Sequence, residues 1–188
     1  FLNMDSTDAT TAGYLYQAAA SAGIGDPMST IPASLRDSDE VRRNALVHDR
    51  TSGGTLWRMM ARAGLAELPD EEFYRQMAAE ADLSDAVDEI QGGRPLDPSR
   101  RASLVAAADT LEAFWREANR GEDRASDNSL SLCHNAAAAL VALGETERAA
   151  DLVREGLAAG DRNYALNLKA AGLACETEDA DWAADVFP

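Results

Sequence analysis

The chain has 188 residues with 33 acidic and 17 basic side chains, a net charge of −16, and its 38 alanines far outnumber its ten isoleucines and valines. Alanine is the best helix former and β-branched residues favour strands, so the composition excludes a sheet-built protein and predicts an all-α fold. A negative field of this size repels nucleic-acid phosphate and anionic lipid, which excludes nucleic acid and membrane surfaces as expected partners.

Within that balance sixteen bases are arginine and Lys169 is the only lysine. The acidity has two readings: the solvated surface of a bacterial or archaeal protein, or a face matched to a basic partner. Cys133 and Cys175 each fall inside a predicted helix without metal-ligand spacing, so reduced, buried thiols are expected, with no metal and no cofactor. No run of 18 apolar residues and no signal segment is present, which points to the cytoplasm. Met4, behind Phe1-Leu2-Asn3, is a candidate native start.

A first helix is predicted from Thr10 to Ser21, with Tyr14, Leu15 and Ala18 on one face, ending at Gly23-Ile24-Gly25-Asp26-Pro27. A loop through Pro32 leads to a second helix, Asp39 to His48, capped by Ser38 and burying Val41 and Ala45. Thr51-Ser52-Gly53-Gly54 breaks the chain before a third helix, Thr55 to Ala63, with Leu56, Met59, Met60 and Ala63 at core spacing. A fourth helix runs from Asp70 to Ala81 with Phe73, Met77 and Ala81 inward, its acidic first turn matching the helix dipole. A short fifth spans Ser84 to Ile90 and stops at Gly92-Gly93. Leu96-Asp97-Pro98-Ser99 is the strongest helix start in the chain, opening a helix from Ser99 to Asn119 with Leu104, Ala108, Leu111 and Trp115 on one apolar face. These helices make up an expected α-helical bundle over 1–121, followed by a polar linker at 122–129.

From Leu130 the pattern changes to helix, Gly144 turn, helix, a turn at Gly160-Asp161 and another helix. A shift of 34 residues aligns Leu132 with Leu166, Ala136 with Ala170 and Ala137 with Ala171. It also aligns Ala149 with Ala183, Ala150 with Ala184, Asp151 with Asp185 and Val153 with Phe187. In period, in the small residues of the first helix and in the A-x3-F element of the second, residues 130–188 resemble the tetratricopeptide repeat family. The resemblance implies a short solenoid of α-hairpins packed on the preceding bundle, because a repeat exposes an apolar face to its neighbour. The family's ligands lie along the inner helices, which by position implies partner-binding roles for His134, Ala138, Val141, Leu168 and Cys175. The basic and Asn residues with which some relatives clamp a peptide carboxylate are not found here. With the sequence closing at Pro188 inside the last expected helix, a second copy in a homo-oligomer or a longer natural chain is expected over that end.

No catalytic constellation emerges. His48-Asp49 lacks the upstream histidine of a metal hydrolase and suits the end of a helix. Cys133 and His134 are adjacent and point about 100° apart on a helix, so they do not form a nucleophile–base pair. The carboxylates Glu71, Glu72, Glu80, Asp82, Asp85, Asp88 and Glu89 read as a solvated face. One local excess of positive charge stands out: Arg42, Arg43, Arg50, Arg58 and Arg62 surround the Thr51–Gly54 break. This is either a set of internal ion pairs or a patch for an anion or acidic partner at a helix start. The expected function is accordingly a helical-repeat module that binds a protein or peptide without catalysis. The alternatives are an acidic immunity or antagonist protein on a basic toxin or nuclease, and a helical enzyme or ligand sensor with a pocket near Trp57, Met59 and Phe73.

Overall fold

The computed structural model describes residues 12, 15–16, 18–19, 21–36, 38–119, 127–159 and 164–186, and among them every regular element is a helix. The chain groups into two compact units, Phe1–Pro69 and Asp70–Pro188.

In the first unit, helical residues between 12 and 21 lead to a 3-10 turn at Pro27–Thr30, then α1 (Ala33–Arg36), α2 (Asp39–Thr51) and α3 (Leu56–Glu67). The 3-10 turn and α1 replace the expected loop, and Arg36 secures them by donating to the carbonyls of Ile31 and Ser29, both at 2.8 Å. Ala12, Tyr16, Ile31, Val41 and Ala45 form the core, with Met28, Leu35 and Met60 against it. The first helix therefore turns in Ala12, Tyr16 and Ala19, whereas Ala18 is exposed and Leu15 half-buried; Tyr14 lies outside the described residues. Tyr16 sets this face because its ring is the largest group, and its hydroxyl lies 3.9 Å from Met60 Sδ. Burial, with Asp49 and Asp26 adding to it, pushes the Tyr16 phenol up to about 12.

α3 likewise differs from its expected face. It buries Trp57, Ala61 and Gly64 at i, i+4 and i+7, leaving Leu56, Met59 and Ala63 exposed. A one-residue change of register turns a helix face by about 100°, and the Trp57 indole offers more apolar area to bury than any neighbour.

The second unit is a series of hairpins: α4 (Glu72–Gln91) with α5 (Pro98–Ala118), α6 (Asp127–Leu143) with α7 (Thr146–Ala158), and α8 (Tyr164–Glu176) with α9 (Ala180–Val186). The two helices of each hairpin pack together, and the first helices of successive hairpins also touch, α4 on α6 and α6 on α8. α4 runs unbroken through Ser84, where a break was expected, because Leu83 and Ala86 both bury on the core and carry the helix across. On α5 the face Leu104, Ala108, Leu111, Trp115 is fully buried, and the Asp97 carboxylate caps the helix by accepting from the amides of Ser99 at 2.8 Å and Arg100 at 2.9 Å. Those bonds, the Arg100 amide foremost, hold the Asp97 carboxyl below its usual range.

The compact division thus falls between Pro69 and Asp70, whereas the sequence pattern placed its linker at 122–129. The physical reason is the apolar face of α5, which the Ala-rich side of α6 covers in one continuous core from Ala79 to Trp182. The α4/α5 hairpin stands before the two repeat-like hairpins as a third layer, the cover that a two-hairpin array requires. Residues 120–126 lie outside the described residues.

The 34-residue offset is visible in the backbone. Gly144 ends α6 at φ +80° and Glu178 ends α8 at φ +55°, both left-handed. The Gly144 and Glu145 amides donate to the carbonyls of Val141 and Leu140; 34 residues on, those of Glu178 and Asp179 donate to Cys175 and Ala174. Close approach of α6, α7 and α8 depends on Gly156, where a Cβ would lie 2.7 Å from Cys133 Sγ and 3.3 Å from Leu166 Cδ2.

The carboxylates of α4 are a solvated face only in part: Glu72 and Asp88 are exposed, whereas Glu80, Asp82, Asp85 and Glu89 are engaged. Glu80 is only 3% exposed and accepts from Gln76 Nε2 at 3.0 Å. Asp82, Asp85 and Glu89, one stripe of the helix, converge on the Arg100 guanidinium of α5 at 3.9, 3.3 and 3.3 Å. On the other side of α5, Arg148 of α7 pairs with Asp109 at 2.9 Å and Glu112 at 2.7 Å, and Arg116 pairs with Glu112 at 3.0 Å and Glu155 at 3.1 Å. The surplus of acid is therefore partly structural: through shared arginines it joins α4 to α5 within one hairpin and α5 to α7 of the next.

Candidate functional site

α6 is enclosed by its neighbours on most of its circumference, with Leu132, Cys133, Ala136, Ala137, Ala139, Leu140 and Leu143 all buried. Its remaining stripe carries His134, Ala138 and Val141 at i, i+4 and i+7, each half-buried. α8 packs against α6, with Leu168 at the position 34 residues on from His134. Between the two helices lies a groove of about 290 Å³, lined by His134, Val141, Leu168, Lys169, Gly172, Leu173 and Glu176.

The groove's floor is apolar and incompletely covered. Leu168 is 61% exposed, an unusual state for a leucine beside a core. Gly172 has nothing within 4 Å of where its Cβ would stand, so the absence of a side chain there widens the groove rather than easing a packing contact. Three of the five partner-binding positions implied by the repeat resemblance, His134, Val141 and Leu168, come together in this lining. Among the described residues, the lining does not include Ala138, whose short side chain packs on the core, or Cys175, which is exposed near the end of α8. Lys169, Gly172, Leu173 and Glu176 were not singled out from the sequence. The available signal was helical spacing from Leu168 and the rarity of lysine.

Cys133 is fully buried and its thiol faces the Leu152 carbonyl at 3.7 Å, as a core residue. Cys175 is exposed, contrary to the expectation that both thiols are buried, because its side of α8 has no helix packed over it among the described residues. No group of three or more His, Cys, Asp or Glu side chains placed to hold a metal ion is found among the described residues. Nor is any helix among them long and apolar enough to cross a membrane.

The arginines of the first unit are placed differently from the groove. Arg42 reaches across from α2 to the Glu67 carboxylate of α3, and Arg43 pairs with Asp39 one turn back at 2.6 Å. Arg50 and Arg58 stand over the Trp57 ring at 5.8 and 5.9 Å from its centroid. Arg62 is half-buried on α3, four residues after Arg58. The helix start behind Thr51–Gly54, a candidate anion site by sequence, already holds a carboxylate of this chain. The Trp57 amide donates to Asp49 Oδ2 at 2.9 Å, and a Cβ on Gly54 would lie 2.3 Å from Asp49 Oδ1. Asp49 thus acts as the cap of α3, and Gly54 is the residue that lets it in. Of the proposed pocket near Trp57, Met59 and Phe73, Trp57 is buried, Met59 is 64% exposed, and Phe73 belongs to the second unit.

Phe73 lines a different hollow, of about 420 Å³, formed by Glu72, Phe73 and Gln76 of α4, Phe114, Glu117 and Ala118 of α5, and Leu132 of α6. Two carboxylates and two aromatic rings give it an acidic, cation-tolerant character, and Arg75 lies 5.3 Å from the Phe114 centroid. Compared with known protein families, curated proteins and solved structures, the chain matches none.

Proposed function

We propose that the chain is a non-catalytic interaction module built on stacked helical hairpins, which holds a segment of a protein or peptide partner in the groove between α6 and α8. The observation that carries this reading is the lining itself: an apolar floor exposed at Leu168, opened by Gly172 and bordered by His134 and Lys169. Support also comes from the 34-residue repetition of turn geometry and from the packing of α6 on α8, first helices of successive hairpins, a stacked arrangement on which repeat proteins present binding surfaces. The acidic hollow at Phe73 and Phe114 favours a second reading, a surface that receives a basic side chain of an antagonised partner.

Gly172→Leu separates the two. The position has open space around it and sits inside a helix, so the substitution fills the groove while leaving the fold intact. Loss of partner capture by this variant, with unchanged helicity, is the expected outcome. Full capture by the variant, lost instead in Glu72→Lys with Glu117→Lys, would sink the groove reading in favour of the second.

A further inference from the structure

The groove has a chemical direction. Helix α8 contributes Lys169 at one end of the lining and Glu176 at the other, with Leu173 between them, while α6 sets His134 near the first end and Val141 toward the second. Seven residues on a helix span about 10 Å. One end is therefore basic and hydrogen-bonding, the other acidic, and the stretch between is apolar. The basic end is the exceptional one: in a chain of net charge −16, its only lysine lines this groove.

Size selects the form of the occupant. An α-helix with its side chains is roughly 10–12 Å across, so about 10 Å of its length takes up well over twice the groove's volume of about 290 Å³, which accommodates one large side chain and its flanks. A segment in the extended polyproline II form rises about 3.1 Å per residue with three residues per turn, so three steps cover roughly the distance from the basic end to the acidic end and bring the side chain back to the same face. We propose, resting on the groove reading above, that the occupant is an extended peptide segment bound in a single orientation. An acidic side chain sits at Lys169 and His134, one large apolar side chain lies over Val141, Leu168 and Leu173, and a basic side chain three residues after the acidic one sits at Glu176. Partly covered ion pairs at both ends discriminate orientation more than they add affinity, because reversing the segment sets like charges together at both ends.

The test uses the full chain and three blocked six-residue peptides, followed by nuclear magnetic resonance titration. The first carries glutamate, leucine, alanine and arginine in that order between terminal glycines; the second exchanges glutamate and arginine; the third replaces leucine with alanine. The first is expected to shift the Gly172 and Leu173 amides and to bind at least about fivefold more tightly than the second, a difference of the size that such pairs supply. In the variant Lys169→Glu with Glu176→Lys the preference between the first two peptides inverts. Should that variant misfold, Lys169→Gln alone is expected to abolish the preference. Equal binding of the two charged orders, or a preference unchanged in these variants, overturns the directional inference while leaving leucine-dependent groove binding standing. Absence of shifts at Gly172 with every peptide overturns both.

Discussion

The hairpins α6/α7 and α8/α9 repeat the same turn with different side chains, and the difference shows that position in the stack, more than residue type, decides what a helix face does. At equivalent places on α6 and α8, Leu132 and Leu166, Ala136 and Ala170, and Leu140 and Ala174 are all buried. Yet Cys133 is core while its counterpart Asn167 is exposed, and half-buried Ala138 and Val141 correspond to exposed Gly172 and Cys175. α6 has helices packed against it from the hairpins on both sides, α4 and α5 before it and α8 after; α8 is covered by α6, α7 and α9. The less covered helix is the one that carries the open side of the groove.

The largest way to break this comparison is to give the first hairpin the second hairpin's residue at a shared core position. Leu140→Ala leaves a cavity in the middle of the core, and unfolding in urea is expected to show a loss of about 2–5 kcal/mol, although alanine is the native residue at the equivalent position 174. Next are the two helical glycines. Gly156→Ala is expected to destabilise by roughly 1–3 kcal/mol because its Cβ meets the Cys133 sulfur, with partial rescue by Cys133→Ala. Gly172→Ala, in open space, is expected to stabilise by about 1 kcal/mol through helix propensity. Equal signs for these two substitutions would mean that the close approach at Gly156 is not real.

The hairpin turns sharpen the comparison further. Glu178 occupies a left-handed conformation that glycine holds at 144, so Glu178→Gly is expected to raise the melting temperature, by roughly 1 kcal/mol of stability, and Gly144→Ala to lower it by about as much. The smallest effect is electrostatic. Asp179 caps α9 by accepting from the Trp182 amide at 3.0 Å, and that bond leads the causes that hold its carboxyl below the usual range, with Arg154 adding to it. Its counterpart Glu145 makes no such cap bond. The folded state releases the Asp179 proton more readily than the unfolded chain. The cap's contribution is therefore complete above the ordinary carboxylate range and lost as pH falls through the lowered folded value. The Trp182 indole resonance, whose ring lies under Arg154 at 4.2 Å, should shift on acidification in the native chain. It should be nearly flat in Asp179→Asn, and unaltered in its acid response by Glu145→Gln.

What the sequence determined by itself is the local physics. Alanine content and scarce β-branched residues dictated an all-helical chain. Asp97-Pro98 dictated where α5 starts, and the spacing of Leu104, Ala108, Leu111 and Trp115 dictated its buried face, because these depend on neighbours within one helix. The repeat resemblance, carried by the 34-residue offset, implied His134, Ala138, Val141, Leu168 and Cys175, of which His134, Val141 and Leu168 line one groove. Tertiary structure alone decided the rest. It chose Trp57 over Leu56 as the inward side of α3 and drew Asp82, Asp85 and Glu89 onto Arg100. It filled the start of α3 with Asp49, joined α4 and α5 to the repeat-like hairpins, and brought His134 and Val141 of α6 alongside Lys169 and Glu176 of α8 in one groove. Each of these depends on which distant surface arrives opposite a residue, and periodicity along a single chain carries no record of that.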